Sequence, residues 1–278
     1  MKVEQIRTGC DKQKKPLVSV IMGIYNCAAT LGDAIRSIQR QTYHNWELIL
    51  CDDASTDNTL EIARQYKALE PERIILLQNE TNKKLAFTLN RCLKAASGEF
   101  IARMDGDDLS APNRLETQVN WLLSHPEYQL EGTAMFSFID DPGAGHVMLP
   151  PSHPDRWTMR KGIPFFHATI MTYKSVYDQL GGYTVSSRTS RAQDYDLWFR
   201  FYAAGFNGDN LEEPLYLVRE NQMTFRRRTA KYRWQALQTT IYGYRLLGFP
   251  KRWLIKPIIM TTLKSMIPPR LVVWMKTK

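Results

Sequence analysis

The sequence predicts an α/β protein in which helices flank a mostly parallel sheet. In its first third, apolar runs suited to strands alternate with segments of about ten to fifteen residues suited to helices. Polar clusters follow three of these runs, as expected at the carboxyl ends of parallel strands, where such sheets bind ligands. The composition of the 278 residues, 44% hydrophobic and 23% charged, excludes a fibrous or wholly disordered chain.

Four strands and three intervening helices are expected at the beginning of the chain. Thr30 and Asp33 resemble a capping box that opens the first helix. Parallel neighbours need crossover connections, so the alternation indicates a parallel sheet. The expected strands are 17–24, 46–51, 74–77 and 100–104, and the expected helices are 30–41, 55–67 and 85–96.

The second half of the sequence is less regular. Pro112 suits the first turn of a helix that ends near 125, and Asp194 begins an apolar helix that ends near 205. Short strands are expected at 129–139 and 168–173. These patterns divide the chain into an N-terminal extension (1–15), a central domain (16–228) and a basic helical tail (229–278).

Positive charge is concentrated at the C-terminal end. From Arg219 to Lys278 there are 14 Lys and Arg residues and one acid, whereas the preceding 218 residues hold 23 and 27. Such tails contact nucleic acids, anionic membranes or polyanionic substrates, the alternative being a solvated helix without a partner. No recognised nucleic-acid motif accompanies the tail, so we expect no nucleic-acid partner.

The tail also has an amphipathic pattern. If 251–266 is helical, its apolar side chains gather on one side and its cations on the other, as in a helix that lies on a membrane surface. Pro257 would weaken that helix, and Trp274 would add an aromatic anchor beyond it. The apolar runs are interrupted well short of the roughly 20 residues that a membrane span needs. The apolar residues on the one side are Leu254, Ile255, Ile258, Ile259 and Met266.

Asp105, Asp107 and Asp108 place three carboxylates within four residues after the fourth strand. Such groups repel one another unless a cation lies between them, and Mg²⁺ or Mn²⁺ with a nucleotide diphosphate is the usual partner. The alternative is an acidic turn in which Asp108 or Ser110 caps the next helix.

Three further positions carry candidate chemistry, each with a structural alternative. Tyr25 follows the first strand and could stack on a base or simply be buried. Asp52 and Asp53 end the second strand and could accept from a ribose or base, or form an ordinary turn. Asp194 could serve as a general base in a cleft or cap its helix.

In order and spacing these clusters resemble the family 2 glycosyltransferases of the GT-A type. The matching stretches are 18–26, 47–59, 82–108 and 192–200, and the resemblance extends over 16–228. Within the family it is strongest to enzymes of exopolysaccharide, biofilm and capsule biosynthesis. It implies the GT-A fold for the central domain.

The resemblance also implies a role for each residue on the donor side. Ile24 and Tyr25 would flank the nucleotide, and Asp53, with Asp52 beside it, would read uracil. Asp105 would approach the ribose and diphosphate of a UDP-sugar.

On the reaction side, Asp107 together with Asp105 would bind Mn²⁺ or Mg²⁺, and Asp194 would deprotonate the acceptor hydroxyl. Gln193 stands where the family frequently has Glu. His167 matches a position before the acceptor-side strand, although a buried histidine would fit equally well.

The resemblance thus implies an inverting, metal-dependent transferase that moves one sugar to a lipid-linked glycan. Arg233 and Trp234 lack the Gln that accompanies them in processive synthases, which favours transfer of a single sugar. The enzyme would be cytoplasmic and peripheral at the inner face of the membrane, with the tail on anionic lipid. The alternative is a regulatory protein on the same fold that docks on the flagellar motor and inhibits motility.

Overall fold

The structure, a computed structural model, describes residues 15–220 and 230–266. Over these ranges the chain folds into a nine-stranded sheet flanked by helices. The strands are β1 (Val18–Ile24), β2 (Trp46–Asp52), β3 (Ile74–Gln78), β4 (Phe100–Arg103), β5 (Leu109–Ser110), β6 (Leu130–Phe138), β7 (Gly145–Met148), β8 (Met171–Tyr173) and β9 (Gly208–Arg219). The helices are α1 (Leu31–Gln39), α2 (Thr59–Leu69), α3 (Leu85–Ala95), α4 (Arg114–Ser124), α5 (Lys174–Leu180), α6 (Gln193–Ala203), α7 (Ala230–Leu246) and α8 (Ile255–Met266).

The sheet has a parallel half and a mixed half. Its order is β3-β2-β1-β4-β8-β6-β9-β5, with β7 paired to β6. The first four strands are parallel, whereas β8 runs antiparallel to both β4 and β6. In the parallel half Ile24 lies opposite Asp52, so the carboxyl ends of β1 and β2 meet at one edge. The α/β class predicted from the sequence is confirmed.

Two apolar layers cover the sheet because successive side chains of a strand point to opposite faces. Val20 and Met22 of β1 pack with α1, α2 and α4 on one face. Ile21 packs on the other face with α3, α5, α6 and α7. Each fully buried Ile or Leu contributes about 1.5–3 kcal/mol to folding, so these two layers hold the strand ends that carry the polar clusters. The three cysteines in the described ranges are unpaired and lie in or beside these layers.

The capping box predicted for α1 is wrong. Thr30 precedes the helix but makes no side-chain cap, and Asp33 pairs with Arg36 instead. The backbone of Thr30, with φ of −121° and ψ of −23°, is not in the extended conformation usual for an N-cap residue. Its hydroxyl donates instead to the backbone carbonyl of Gly106 at 3.0 Å. The start of α1 is therefore attached to the acidic loop after β4.

Strand β9 is an element that the sequence pattern does not predict. Its first half is polar and contains Pro214, and its pairing with β6 shifts register between Thr133 and Met135. Its second half pairs with β5, where Tyr216 lies opposite Ser110. The strand thereby brings distant residues to the acidic loop.

Helix α7 packs directly on α6 and belongs to the core. A Cβ on Gly243 would lie 2.1 Å from Cδ2 of Phe199, so only glycine permits this close approach. Leu237 and Tyr244 of α7 are buried against the body. The expected limit between domain and tail, 228/229, lies outside the described residues.

The segment after α7 carries the predicted amphipathic helix. Trp253, in a 3₁₀ turn over Lys251–Leu254, packs against Phe249 and Trp157. Helix α8 continues through Pro257, which lies in its first turn, where the backbone N–H has no helical partner anyway. Within 15–220 and 230–266, no helix combines the length and apolar character needed to cross a membrane. The N-terminal extension up to residue 14, the side chain of Met266 and the expected anchor at Trp274 lie outside what the structure describes.

Candidate active site

The loops that follow β1 and β2 are hydrogen-bonded to each other. Asn26, at a positive φ of 50°, donates from its backbone N–H to Ser55 Oγ at 3.0 Å. Its side-chain Oδ1 accepts from the backbone N–H of Thr56 at 2.8 Å. The backbone N–H of Cys27 donates to Thr59 Oγ1 at 2.8 Å. These bonds join two chain segments about 30 residues apart into one wall of the site.

Ile24 and Tyr25 end β1 beside this wall. Ile24 is buried, whereas the Tyr25 side chain is 48% exposed. An aromatic ring left exposed at a strand end provides a stacking surface for a planar base. The structure therefore leaves Tyr25 available for the nucleotide contact that the sequence predicts, and excludes its being a core tyrosine.

Asp53 has a carboxylate that holds the loop between β3 and α3. Its Oδ1 accepts from Asn79 Nδ2 at 2.8 Å and from the backbone N–H of Lys83 at 2.7 Å. Its Oδ2 accepts from the backbone N–H of Lys84 at 2.9 Å, and Lys84 has a φ of 72°. A carboxylate has about four acceptor positions, so three of those at Asp53 are occupied and one is left.

Asp52 points to the opposite face of β2. Its Oδ2 accepts from the backbone N–H of Ser55 at 3.1 Å, and its buried Oδ1 has no hydrogen-bond partner in the structure. A buried acceptor without a donor is costly, about 1–3 kcal/mol. Asp52 and Asp53 are adjacent in sequence but lie in different surroundings.

Asp108 is the most constrained carboxylate of the acidic loop. Its Oδ2 accepts from the Tyr216 hydroxyl at 2.9 Å and its Oδ1 from the backbone N–H of Arg219 at 2.8 Å. Burial, together with the charges of Asp105 and Asp107, raises the pKa of Asp108 to about 8. Asp108 therefore fixes the loop to β9 rather than capping the next helix, whose N-cap residue is Asn113.

Asp105 is held from two sides. Its side chain pairs with the buried guanidinium of Arg103, and its backbone N–H donates to the Tyr216 hydroxyl at 3.0 Å. The Asp105 side chain remains 31% exposed, so part of its carboxylate is accessible to solvent. Gly106 allows the loop to lie against β1, because a Cβ there would be 3.0 Å from Cys27 Sγ.

The acidic loop fits a divalent cation. Oxygen atoms from Asp105, Asp107 and Asp108 lie within 4.8 Å of one another. Both oxygens of Asp108 already accept hydrogen bonds, whereas the Asp107 side chain is exposed and Asp105 has a second oxygen without a bond to Arg103. Partial desolvation and the charge of Asp105 raise the pKa of Asp107, as expected where carboxylates lie close together. All the donors are oxygen, the donor that Mg²⁺ and Mn²⁺ prefer, so Asp105 and Asp107 are the available ligands.

Asp194 lies in the first turn of α6 and does not cap it. The N-cap residue is Ala192, and Asp194 Oδ1 accepts only from the backbone N–H of Tyr195, at 2.8 Å. Burial raises the pKa of Asp194, and the nearby charge of Arg103 opposes the shift. Arg103 also pairs with Asp105, so the acidic loop and the start of α6 face the same buried cation. Gln193, the first residue of α6, is half-buried beside it.

Asp196, two residues further along, is a structural residue that the sequence analysis did not single out. It is fully buried and accepts hydrogen bonds from Thr184, Arg188 and Arg200. These partners hold α6 against the segment that precedes it. The two aspartates thus differ sharply, because Asp194 has one backbone donor and Asp196 has three side-chain donors.

His167 is a buried core residue. Its Nε2 lies 2.8 Å from the Tyr183 hydroxyl, and its ring packs edge-on against Trp198. Burial and the charge of Arg103 hold the pKa of His167 well below its usual range, so the ring is neutral. Of the two interpretations of this residue, the structure favours the core histidine.

The site also contains residues that sequence reasoning missed. Tyr216 and Arg219 of β9 position the acidic loop, and Asn79 positions Asp53. Arg103, the cation shared by Asp105 and Asp194, is part of the β4 apolar run and so carries no motif signal. The one indication of Arg103 in the sequence was its position as a charged residue at the end of an otherwise apolar strand.

The sequence matches that of a known enzyme family and of several of its members. The family described as Glycosyl transferase family 2 matches residues 19–190. The chain is 55% identical over 217 residues to a Bacillus subtilis (strain 168) protein named glycosyltransferase EpsE, covering 78% of each chain. It is 47% identical over 111 residues to the Escherichia coli UDP-Glc:alpha-D-GlcNAc-diphosphoundecaprenol beta-1,3-glucosyltransferase WfgD, covering 39% of this chain and 42% of WfgD.

Solved structures share the fold at low sequence identity. S. aureus TarS in complex with UDP-GlcNAc matches with a TM-score of 0.66 at 17% identity, over 83% of this chain and 70% of that chain. The mannosyltransferase PcManGT from Pyrobaculum calidifontis, in complex with GDP-Man and Mn²⁺, matches with a TM-score of 0.64 at 17% identity, over 95% and 80%. With the family match over more than half of its length, the chain belongs to the family 2 glycosyltransferases and has their GT-A fold.

Proposed function

We propose that this glycosyltransferase moves one sugar from a UDP-sugar to a lipid-linked glycan, with inversion at the anomeric carbon and with a divalent cation. The observation that carries the proposal is the buried cation Arg103, which pairs with Asp105 of the acidic loop and whose charge also lowers the pKa of Asp194. One carboxylate suits the diphosphate side of the reaction and the other suits the acceptor side. Exopolysaccharide or capsule biosynthesis is the setting we propose, by analogy with the relatives.

The donor side supports a uridine nucleotide. Tyr25 offers an exposed ring for stacking, and the preceding residue, Ile24, is buried in the core. We assign recognition of the base N–H to the Asp52 and Asp53 pair, where Asp53 keeps one acceptor position after its three hydrogen bonds. The UDP-Glc in the name of WfgD and the UDP-GlcNAc bound to TarS support the same class of donor.

Asp105 and Asp107 are the residues that would hold Mn²⁺ or Mg²⁺. When bound, such a cation stabilises the negative charge of a departing diphosphate. Asp108 and Tyr216 keep these two carboxylates in place through the backbone of the loop. The Mn²⁺ in PcManGT supports the use of a divalent cation by this fold.

Asp194 is the residue we assign as general base. One of its oxygens is free of hydrogen bonds, and its raised pKa makes it a stronger base than an ordinary aspartate. The proton of the acceptor hydroxyl passes to Asp194 while the hydroxyl oxygen bonds to the anomeric carbon and the bond from that carbon to the diphosphate breaks. Attack from the face opposite the leaving group inverts the anomeric centre.

The C-terminal helices support work at a membrane surface. Residues 230–266 contain seven Lys and Arg residues and no acid. Helix α8 exposes Ile255, Ile259 and Leu263, each more than half accessible to solvent, along one side. A lipid-linked acceptor is found only at the membrane, and basic residues near anionic lipid contribute on the order of 1 kcal/mol each. We therefore propose that α8 binds the cytoplasmic face of the membrane and that the enzyme is peripheral there.

A transfer assay tests the function. Full-length protein, Mn²⁺ and GlcNAc-diphosphoundecaprenol are incubated with UDP-Glc, UDP-GlcNAc, UDP-Gal or UDP-GalNAc, and both UDP and glycolipid product are measured. We expect one donor to give an acceptor-dependent product whose anomeric configuration, measured by NMR, is opposite to that of the donor.

The matched controls are Asp194→Asn and Asp140→Ala, the second an exposed acid in the loop after β6. Asp194→Asn should abolish transfer and Asp140→Ala should retain it. Transfer that persists in Asp194→Asn, that retains the donor configuration or that is independent of divalent cations would contradict the proposed mechanism.

A further inference from the structure

A cavity separate from the candidate active site lies between α7, α8 and the segment that leads into α6. Its volume is about 520 Å³, within the range of small-molecule sites, roughly 300–1,000 Å³. Three cations, Arg191, Arg233 and Lys264, line it together with apolar side chains that include Leu237 and Met260. A cavity of this composition suits a ligand with an anionic group attached to an apolar one.

The three cations have no counter-ions of their own. The Arg191 guanidinium lies over the Tyr232 ring at 4.6 Å from its centroid, a contact that orients the side chain without neutralising its charge. Over the described ranges no acid lines the cavity, and none of the three cations forms an ion pair. Like charges converging without an acid are most stable with a polyanion between them.

The position of the cavity relates it to the reaction. Arg191 precedes the base Asp194 by three residues, and α7, which forms one wall, packs on α6. The cavity therefore adjoins the chain segment that leads into Asp194. The opposite end of the site, where the acidic loop lies, contributes no lining residue.

Helix α8 forms one wall of the cavity, which is open to solvent. Pro257, Met260 and Lys264 share the face that lines the cavity, at helical spacings of three and four. Ile259 and Leu263 lie on the opposite, exposed face. Helix α8 thus carries apolar side chains on its outer side and contributes one cation, Lys264, to the cavity, an arrangement that suits an anionic headgroup at a membrane surface.

We propose that this cavity binds the diphosphate of the lipid-linked acceptor. Arg191, Arg233 and Lys264 contact the phosphate oxygens, and Leu237 and Met260 cover the first carbons of the lipid. The inference rests on the proposed function, because it assumes a lipid-linked acceptor. It adds a second anion site, distinct from the one that receives the diphosphate of the donor.

Isothermal titration of the full-length protein with farnesyl diphosphate tests the proposal, without donor or divalent cation. We expect the double variant Arg233→Gln/Lys264→Gln to bind this probe at least tenfold more weakly than the unmodified protein. The matched control, Arg245→Gln/Lys256→Gln, removes the same charge from the same two helices outside the cavity and should bind normally. The charge-preserving pair Arg233→Lys/Lys264→Arg should restore most of the affinity, which separates charge from misfolding.

Two further probes identify the recognised chemistry. Inorganic pyrophosphate should bind more weakly than farnesyl diphosphate, and farnesol should bind more weakly still. Equal affinity for pyrophosphate would overturn the lipid part of the proposal and leave a free-phosphate site. Equal affinity for farnesol, equal weakening in the two glutamine pairs or no binding by the unmodified protein would overturn it altogether.

The result of the binding experiment can be distinguished from that of the transfer assay. Farnesyl diphosphate binding that depends on Arg233 and Lys264, with transfer that persists in Asp194→Asn, would contradict the proposed mechanism and not the cavity. Cation-dependent transfer that needs Asp194, with no cavity-dependent binding of the lipid diphosphate, would overturn the cavity and not the mechanism.

Discussion

The strand-end loops and the α7–α8 pair are held in place by different means. The loops after β1, β2 and β4 are joined by hydrogen bonds between segments far apart in sequence, such as Asn26 to Thr56 and Thr30 to Gly106. Helices α7 and α8 are held by packing, chiefly of Gly243 on Phe199 and of Trp253 on Phe249. The loops present acids in fixed positions, and the helices present cations and exposed apolar side chains.

This difference indicates which kind of ligand or surface each region is suited to bind. Preorganised carboxylates suit a small ligand whose atoms must be placed to within a fraction of an ångström. An amphipathic helix on a packed base suits a broad and less specific surface. Substitutions in one of these regions should leave the other intact.

The largest effect is expected at the two carboxylates that we assign to the metal and to the general base. Asp107→Ala should abolish turnover together with metal-dependent UDP-sugar binding, because it removes an exposed oxygen that we assign as a ligand. Asp194→Asn should abolish measurable turnover, since loss of a general base costs about 10²–10⁴-fold, and should leave donor binding nearly intact, since we place this residue on the acceptor side. Turnover and titration calorimetry with UDP-sugar and Mn²⁺ measure both. Equal loss of donor affinity in the two variants would contradict this division of roles.

The next effect concerns stability and distinguishes two aspartates of one helix. Asp196→Asn should lower the free energy of unfolding by about 3 kcal/mol, because Arg188 and Arg200 lose their common counter-charge in a buried network. Asp194→Asn should leave the free energy of unfolding unchanged or slightly higher, since the raised pKa of Asp194 means that folding disfavours its ionised form. Urea unfolding of both variants measures the contrast. Similar destabilisation by the two substitutions would show that Asp194 is also structural.

A smaller effect is expected where α7 meets α6. Gly243→Ala should cost about 2 kcal/mol, since its Cβ would overlap the Phe199 ring. Gly32→Ala in α1 is the matched control, because its Cβ meets the far ends of two exposed or half-buried side chains, Arg36 Nη1 at 3.1 Å and the Tyr66 hydroxyl at 3.4 Å, and no ring or backbone atom. That substitution should be neutral or stabilise by about 0.5–1 kcal/mol. If Gly243→Ala unfolds at the same urea concentration as the unmodified protein, α7 does not depend on this contact.

The smallest effect is expected on the exposed side of α8. Ile259→Asn should weaken sedimentation with phosphatidylglycerol vesicles by about tenfold, as one partly buried isoleucine contributes roughly 1.5 kcal/mol. Ile139→Asn, at a similarly exposed isoleucine after β6, should bind these vesicles normally. Truncation after Pro250 is a less selective test, because it also removes Trp253 from its packing on Phe249.

Two results would contradict the membrane proposal for α8. One is an equal loss of vesicle binding in Ile259→Asn and Ile139→Asn. The other is equal binding to neutral phosphatidylcholine vesicles, which would leave the positive charge of the C-terminal helices without a role. Self-association in place of vesicle binding, measured by analytical ultracentrifugation, would identify a second copy of the chain as the occupant of this face.

The parallel half of the fold was predictable because its signals are local. The limits predicted for β1 and β2 agree with the structure to within one residue, since the apolar runs end at Tyr25 and Asp52. Strand β9 was not predictable, because six of the seven residues that precede its apolar part are polar or turn-forming. Its existence depends on pairing with β6, which no local pattern encodes.

The candidate site likewise has residues that the sequence predicts and residues that it does not. Residue type and spacing singled out Asp107 and Asp194, because each stands at the end of an element. The contrast between Asp194 and Asp196 was not predictable, since it depends on Arg188 and Thr184, which only the fold brings near. The capping prediction for Thr30 failed for a related reason, because the fold sets its backbone conformation and brings the Gly106 carbonyl within reach of its hydroxyl.

Arg103 has a consequence for the timing of the reaction. Its charge lowers the pKa of Asp194 while its guanidinium pairs with Asp105. A donor that moves this guanidinium when it binds beside Asp105 would therefore change the pKa of Asp194. Linkage makes the relation reciprocal, so protonation of Asp194 would change donor affinity by the same factor. One buried charge would in this way couple the loading of the donor to the strength of the proposed base.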